Sequence, residues 1–542
     1  MEETERNLRE KIEQEAKNTL KKTMWEGYAN DILTGLQKNP GVQPDRPIWE
    51  LVQNARDVAY ENKKAKIVFI RKQDHFVFQH NGQPFTRTTL QSLILQTSSK
   101  VREDIIQVGQ YGTGFLTTHK FGLDFRLSGS LSLLEGLKFY NFSGRDFIIK
   151  RSAQDKVKLS DDLDATIAKT QQWGLDLNSL EDNPRRETIF EYQHNFNAER
   201  ENAKIAIKEA PKLVPYVLAL NKHIESISFI DEVEGPKEES FSFQNEEIYD
   251  NLENLRVYET TILHSQSGQK DKIISLFLLK SLRCLEEKTG ESKFTIILPL
   301  KKISEGLKVF NFDNSIPRLY LYLPLLGSKD WGCNFLFHSP SFTCDQDSRD
   351  SIMLRFNPQA EVHHDQINKD IIREASDALK KYLTYKYLNL TDARFLCPIN
   401  FVKGKSDNET NQYYQELQKE WVSFFECLNL VEYEDGKTIP VKSIRVLSNE
   451  LYLACEQDVS LLDAIYNLLS KAVHLILPRK EELLFWSKVI NEWYEDNEAE
   501  NLHIISIDSL VSLIQETTIT ESDLDWLHKL CYYFKNNGHA DY

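Results

Sequence analysis

The chain reads as an α/β protein that ends in a mostly helical region. Up to about residue 360, segments with helical apolar spacing alternate with short runs rich in Val, Ile, Phe and Leu. From about residue 365 onward the pattern is mostly amphipathic helix. At 542 residues the chain is too long for one ordinary core, so roughly three domains are expected. The pattern divides them as 1–200, 201–365 and 366–542.

Residues 1–38 predict a helix: charged, free of Pro and Gly until Gly27, with Leu8, Ile12, Ala16 and Leu20 at four-residue spacing. It reads as a packing helix on the first domain. Asn39-Pro-Gly ends it. Pro47 to about Tyr60 is a second helix, with proline in the first turn where its missing N–H costs nothing. Lys66–Arg71 and Phe76–Gln79 predict paired strands. Residues 86–108, with no glycine and mixed polarity, read as a mobile lid. Strands are expected at Phe125–Leu127, Lys138–Phe142 and Thr188–Tyr192, with the polar stretch 153–185 as a surface excursion.

The second unit begins with a helical run, Ala203–Leu220, broken or kinked at Pro211 and Pro215. Strands follow at Ile224–Ile230, Val257–His264, Ile273–Leu279, Phe294–Pro299 and Leu319–Pro324. Helices are then expected at Ile371–Leu383, Tyr413–Cys427, Leu461–Leu475 and Glu482–Tyr494. No repeat of fixed period interrupts this order.

Composition narrows the function classes. With 41% hydrophobic and 27% charged residues the chain is globular. A net charge of −16 argues against tight non-specific binding to nucleic acid, which needs clustered Lys and Arg. Seven scattered cysteines without a CxxC pair fit free thiols in a reducing cytoplasm and give no zinc framework. The acidic start lacks an apolar signal core, and the longest apolar runs fall well short of the roughly 20 residues of a membrane helix. The expectation is a cytoplasmic protein with no membrane span.

Three short stretches carry the chemistry. The first is Glu50-Leu-Val-Gln-Asn54-Ala-Arg-Asp57. On a helix, positions 50, 54 and 57 share one stripe, so carboxylate, amide and carboxylate face the same way. A carboxylate can orient and deprotonate a water, and an amide oxygen is a hard ligand for Mg²⁺. The second is His80-Asn81-Gly82-Gln-Pro84-Phe85, a tight turn after a strand. The third is Gly109-Gln110-Tyr111-Gly112-Thr113-Gly114-Phe115. Its glycines let backbone N–H groups approach phosphates, and Phe115 can open a helix whose N-terminus favours anions. Ser99 and Lys100 lie just upstream of it, and Lys100 or Lys120 serves as a phosphate contact or an ordinary surface lysine.

In this order and spacing the stretches resemble the GHKL ATPases, the superfamily of gyrase, the large heat-shock chaperone, histidine kinases and MutL. The resemblance is fullest over residues 45–192, continues to 356 and stops there. It implies a Bergerat-type α/β sandwich, an α/β transducer domain, and ATP as substrate with Mg²⁺, and it offers for residues 1–38 the alternative of an arm exchanged between two copies. It makes Glu50 the general base and Asn54 the magnesium ligand, with Asp57 a supporting acid. Residues 80–82, 99–100 and 109–115 become the nucleotide cradle, and Thr188 the strand threonine near the base. The superfamily pattern at the second stretch is Asp-x-Gly-x-Gly, its Asp accepting the adenine amino group; here His80 and Pro84 stand in place of Asp and the second Gly. His80 is then a base contact or a packing residue.

Leu323-Pro-Leu-Leu-Gly327 and Phe342-Thr-Cys-Asp-Gln-Asp-Ser-Arg349-Asp350, with His80-Asn-Gly-x-Pro-Phe, look similar to sacsin-type members, which include large bacterial proteins. Arg349 is the candidate for the cation that completes the site, the alternative being a surface ion pair with Asp347 or Asp350. His363-His364-Asp365 lacks a further ligand and is not read as a metal site. The implied activity is a slow, chaperone-like ATP-driven switch with a nucleotide-dependent homodimer, and the resemblance extends weakly to bacterial defence. The alternatives are a nucleotide-binding scaffold of little activity and a DNA-processing ATPase of MutL or topoisomerase type, against which the acidic balance counts.

Overall fold

A computed structural model gives the fold of residues 2–38, 41–97, 114–235, 237–281, 292–345, 350–356, 358–402, 408–433, 437–472, 474–494 and 504–537. It is an α/β protein with mixed sheets. The chain packs into two compact units, a coarser grouping than the three-part division. The first holds Met1–Glu247, Glu259–Leu276 and Leu321–Pro324; the second holds Ile248–Tyr258, Phe277–Tyr320 and Leu325–Tyr542. Among the described residues no helix is long and apolar enough to cross a membrane.

In the first unit, helices α1 (Glu2–Gln37) and α2 (Arg46–Asp57) precede strands β1 (Ala65–Arg71) and β2 (His75–His80). Then come α3 (Arg87–Leu95), β3 (Phe125–Leu133), β4 (Lys138–Phe142), the short β5 (Ile148–Ile149), α4 (Lys156–Gln171) and the short β6 (Leu180–Glu181). Strand β7 (Thr188–Gln193), α5 (Asn197–Glu209), α6 (Val214–Leu220) and β8 (Ile224–Asp231) follow. The strands order as β8-β1-β2-β7-β3-β4-β6. β1 runs parallel to β8 and antiparallel to β2, and β7 is antiparallel to both β2 and β3.

Alternation in these strands sends Phe69, Phe76, Phe78, Phe125, Phe190, Tyr192 and Phe229 to one buried face. Phe69 stacks on Phe78 and Phe229, each with centroids 5.4 Å away. These rings form the layer on which the neighbouring helical segments settle. Pro211 and Pro215 break the run after α5 as their missing N–H groups require, leaving a 3₁₀ turn, Ala210–Leu213, before α6.

Two expectations are corrected. The stretch 153–185 is not a mere surface excursion: it forms α4, whose Leu159, Leu163 and Ile167 are buried. Trp173, just beyond, stacks on Phe142 at 4.7 Å and on Tyr140 at 5.2 Å. Nor is all of 86–108 a free lid. α3 buries Leu90 and Ile94, and Arg87 donates to the carbonyls of Thr170 and Trp173 at 3.1 and 2.9 Å, closing the C-terminal end of α4. The buried Arg151 in turn donates to the Ile94 carbonyl at the end of α3.

In the second unit, Thr295–Leu298 pairs antiparallel with residues 277–280 and with Leu336–His338, and Leu319–Leu321 runs parallel to the last of these. The long helices His364–Lys386 and Asn408–Glu426 follow. The helices Asn449–Gln457, Val459–Ser470, Lys480–Trp493, Ile507–Glu516 and Leu524–Asn536 come after. Leu451, Ile465, Leu468, Leu483, Leu510 and Leu530 are among the residues of one apolar core there, as the helical spacing from residue 365 onward predicts.

Candidate functional site

α2 carries the first stretch. Pro47 sits in its first turn, and Ile48, Leu51, Val52 and Ala55 are buried. That one-sided burial fixes the helix rotation and leaves Glu50 and Asn54 half-buried on another face. Arg46, one turn before Glu50, places Nη2 3.4 Å from its Oε1; the two side chains are 11% and 16% exposed. Such an i,i+4 pair contributes only a few tenths of a kcal/mol, so its main effect here is to orient the carboxylate.

Asp57 behaves differently from the other two acceptors. It is the last residue of the helix, its side chain is 4% exposed, and it pairs with the equally buried Arg56 at 3.7 Å. The Arg56 guanidinium lies 3.8 Å over the ring of Tyr322, while its Nε and Nη1 have no hydrogen-bond partner. Asp57 thus supplies a counter-charge to a buried cation.

β2 delivers His80 to the same sheet face as Phe78 and Phe190, with ring centroids 5.3 and 6.3 Å away. The antiparallel register sets Thr188 directly opposite His80, and both are buried, at 4% and 6% exposure. Gly129 on β3 adjoins them: a Cβ there would lie 3.5 Å from the Thr188 hydroxyl. The sheet face therefore passes from an aromatic layer to His, Thr and Gly at this end. Burial pulls the His80 pKa down to about 4, which keeps the ring neutral near pH 7.

The turn after β2 is held from several sides. Gly82 N–H donates to His80 Nδ1 at 3.1 Å, Gln83 N–H donates to the Val58 carbonyl at 2.7 Å, and Phe85 N–H donates to the Ser130 carbonyl at 2.9 Å. Gly82 is obligatory by space: a Cβ would meet Val58 Cγ2 at 2.6 Å and the Val58 carbonyl oxygen at 2.9 Å. Asn81 accepts from Lys66 N–H at 2.7 Å and donates to the Lys64 carbonyl at 3.4 Å. Its amide therefore braces the start of β1.

Of the third stretch, Gly114 and Phe115 are described; Gly109 to Thr113 lie outside the described residues, as do Ser99 and Lys100. Gly114 is packed against α2, where a Cβ would stand 2.8 Å from Glu50 Cδ and 3.0 Å from Oε1. Phe115 reaches the aromatic layer, 5.9 Å from Phe125 and 6.0 Å from Phe190. The segment Gly114–Phe121 is a 3₁₀ helix. Thr117 and Thr118 donate their hydroxyls to the carbonyls of Gly114 and Phe115, each at 2.7 Å, bonds that suit the tighter i→i+3 winding. Lys120 is engaged with the Val42 carbonyl, a brace for the segment leading into α2.

Arg349 also lies outside the described residues. Around it, Asp345 N–H donates to Ser351 and Met353 N–H to Thr343, both at 2.9 Å, and Gly327 N–H donates to the Asp350 carbonyl at 2.8 Å. The Leu-Pro-Leu-Leu-Gly segment is thus tied to Asp350 through Gly327. His364 Nδ1 lies 3.1 Å from the Thr343 hydroxyl, and Asp365 pairs with Lys369. Among the described residues no cluster of three or more His, Cys, Asp or Glu is placed to hold a metal ion.

Sequence reasoning passed over Arg46, although the i,i+4 spacing to Glu50 was its signal. It also passed over Gly129, which nothing in the local sequence distinguishes. No model of a known protein family matches the chain, and no curated protein matches it.

Proposed function

We propose that the chain binds a nucleoside triphosphate with Mg²⁺ in a Bergerat-type site and hydrolyses it slowly. ATP is the nucleotide that the GHKL resemblance implies, and a conformational change is the output. The observation that carries this reading is the approach of Gly114 to Glu50. Gly114, the last glycine of the third stretch, lies against Glu50, the acid of α2 with the more exposed side chain.

Glu50 would take the proton of a water attacking the γ-phosphorus, as the P–O bond to the nucleoside diphosphate breaks. Arg46 holds one Glu50 oxygen and fixes the direction of the carboxylate. Asn54, one turn further on, offers a single hard amide oxygen. That suits Mg²⁺, which takes few protein ligands and draws the rest from phosphate and water. When bound, the ion would neutralise phosphate charge. Thr188 and His80 would face the base.

A second reading, a scaffold that binds nucleotide and turns over little, is favoured by the same Arg46–Glu50 contact, which engages a carboxylate oxygen with a cation instead of water. The first test is calorimetric titration with ATP–Mg²⁺. Binding is expected, and Asn54→Ala should abolish its magnesium dependence while leaving the fold intact. Absence of nucleotide binding in the wild type would overturn both readings. Gel filtration with a non-hydrolysable nucleotide tests the homodimer that the resemblance implies.

A further inference from the structure

The position where the resemblance leads one to expect a carboxylate holds an imidazole whose hydrogen-bonding polarity is fixed by its surroundings. A carboxylate can only accept; a neutral imidazole has one accepting and one donating nitrogen. Gly82 N–H donates to His80 Nδ1, so the accepting nitrogen is already engaged and the ring proton resides on Nε2. Burial, which lowers the ring's pKa, keeps it from acquiring a second proton near neutral pH. The arrangement has little freedom to invert. Flipping the ring would break the bond to Gly82, and that residue is held by the tight approach of Val58. Thr188, across the ladder, carries a hydroxyl that both donates and accepts, so it imposes no polarity of its own.

Resting on the nucleotide reading above, we propose that His80 recognises the base as a hydrogen-bond donor. The nucleotide bound at this end of the sheet must then present an acceptor to Nε2–H, the reverse of recognition by a carboxylate. On a purine's Watson–Crick edge, the edge that carries adenine's amine and that we place against His80, the acceptors are ring nitrogen N1 of adenine and the 6-oxo oxygen of guanine. A base turning an exocyclic amine toward the ring would leave two donors facing each other without partners. Sites built around one buried polar contact discriminate strongly against such a mismatch.

The test is a chemical mutant cycle read by calorimetry with Mg²⁺ present. ATP is compared with 1-deazaadenosine triphosphate, which lacks N1, and GTP with 6-thioguanosine triphosphate, which keeps N1–H and replaces the 6-oxo oxygen with a sulfur that is a poor acceptor. The pair containing the tighter natural nucleotide identifies the edge in use. In the wild type, removing the acceptor from that nucleotide should weaken binding about tenfold. In His80→Phe, which preserves an aromatic ring beside Phe78 and Phe190, the two members of the pair should bind alike. His80→Asn, checked by thermal unfolding, serves as a second variant and should retain part of the discrimination through its amide N–H. Equal binding of parent and analogue by the wild type overturns the proposal, as does an analogue difference that persists in His80→Phe. Either result leaves the nucleotide reading standing. Failure of every nucleotide to bind the wild type sinks that reading and this inference with it.

Discussion

Gly114→Ala separates position from stability at the proposed catalytic acid. A Cβ at this position would stand 2.8 Å from Glu50 Cδ and 3.0 Å from Oε1, whereas apolar contacts settle at about 3.5–4.0 Å. The nearest atom is Glu50 Oε2, closer than either of these, at the far end of a flexible, partly exposed side chain, so the carboxylate can retreat by roughly 1–2 Å at little energetic cost. The stability change expected is therefore below about 1 kcal/mol. Misplacement of a reacting group by that distance can cost roughly a hundredfold in rate, against roughly 10²–10⁴ for removing a general base outright. The assay is single-turnover phosphate release from pre-bound ATP–Mg²⁺, alongside thermal unfolding and nucleotide affinity. The expected result is a rate lowered about a hundredfold with the unfolding midpoint nearly unchanged. A wild-type rate in Gly114→Ala would refute the claim that Glu50 acts from the position against which Gly114 is packed.

Gly82→Ala should behave in the opposite sense, because its Cβ would strike the Val58 carbonyl and the buried His80 ring. Overpacking of that kind costs about 1–3 kcal/mol, readable as a lowered denaturation midpoint; an unchanged midpoint would show that the turn relaxes freely. Acid should destabilise the fold through His80 and His119, whose pKa values burial lowers to about 4 and about 3 from 6.5. Below 6.5 the unfolded chain binds more protons, so stability falls as pH drops from about 6.5 toward 3 and is flat above that window. The two sites contribute roughly 3 and 5 kcal/mol at full protonation. Denaturation midpoints at pH 7.5 and 5.0 check the sign, and a stability that rises on acidification contradicts it. Thiol labelling followed by mass spectrometry should modify exposed Cys427 and Cys531 well before buried Cys333, Cys397 and Cys455, since burial also pushes the Cys333 thiol up to about 11.

What the sequence made legible were features written in backbone chemistry. Pro47 marked the start of α2, Pro211 and Pro215 marked a break, and Asn81-Gly82 marked the turn after β2. Each acts locally, so the fold could only use it where it stood. Features set by distant partners were hidden. Leu159, Leu163 and Ile167 sit four apart in a charge-rich stretch, and their burial depends on surfaces far away in sequence. The strand Lys237–Leu252 buries little besides Phe241, so no apolar alternation announced it. In the site, helical periodicity put Asp57 on the stripe of Glu50 and Asn54. At the last turn of α2, however, the buried Arg56 guanidinium requires a counter-charge, and Asp57 supplies it. The pairing of His80 with Thr188 follows from sheet register, which a single sequence does not state.

The most direct test of the account is single-turnover phosphate release from ATP–Mg²⁺ by the wild type and by Glu50→Gln, a substitution that keeps the shape and removes the base. Both proteins should bind the nucleotide, and release should fall by at least about a hundredfold in Glu50→Gln. Equal rates in the two proteins would contradict the account.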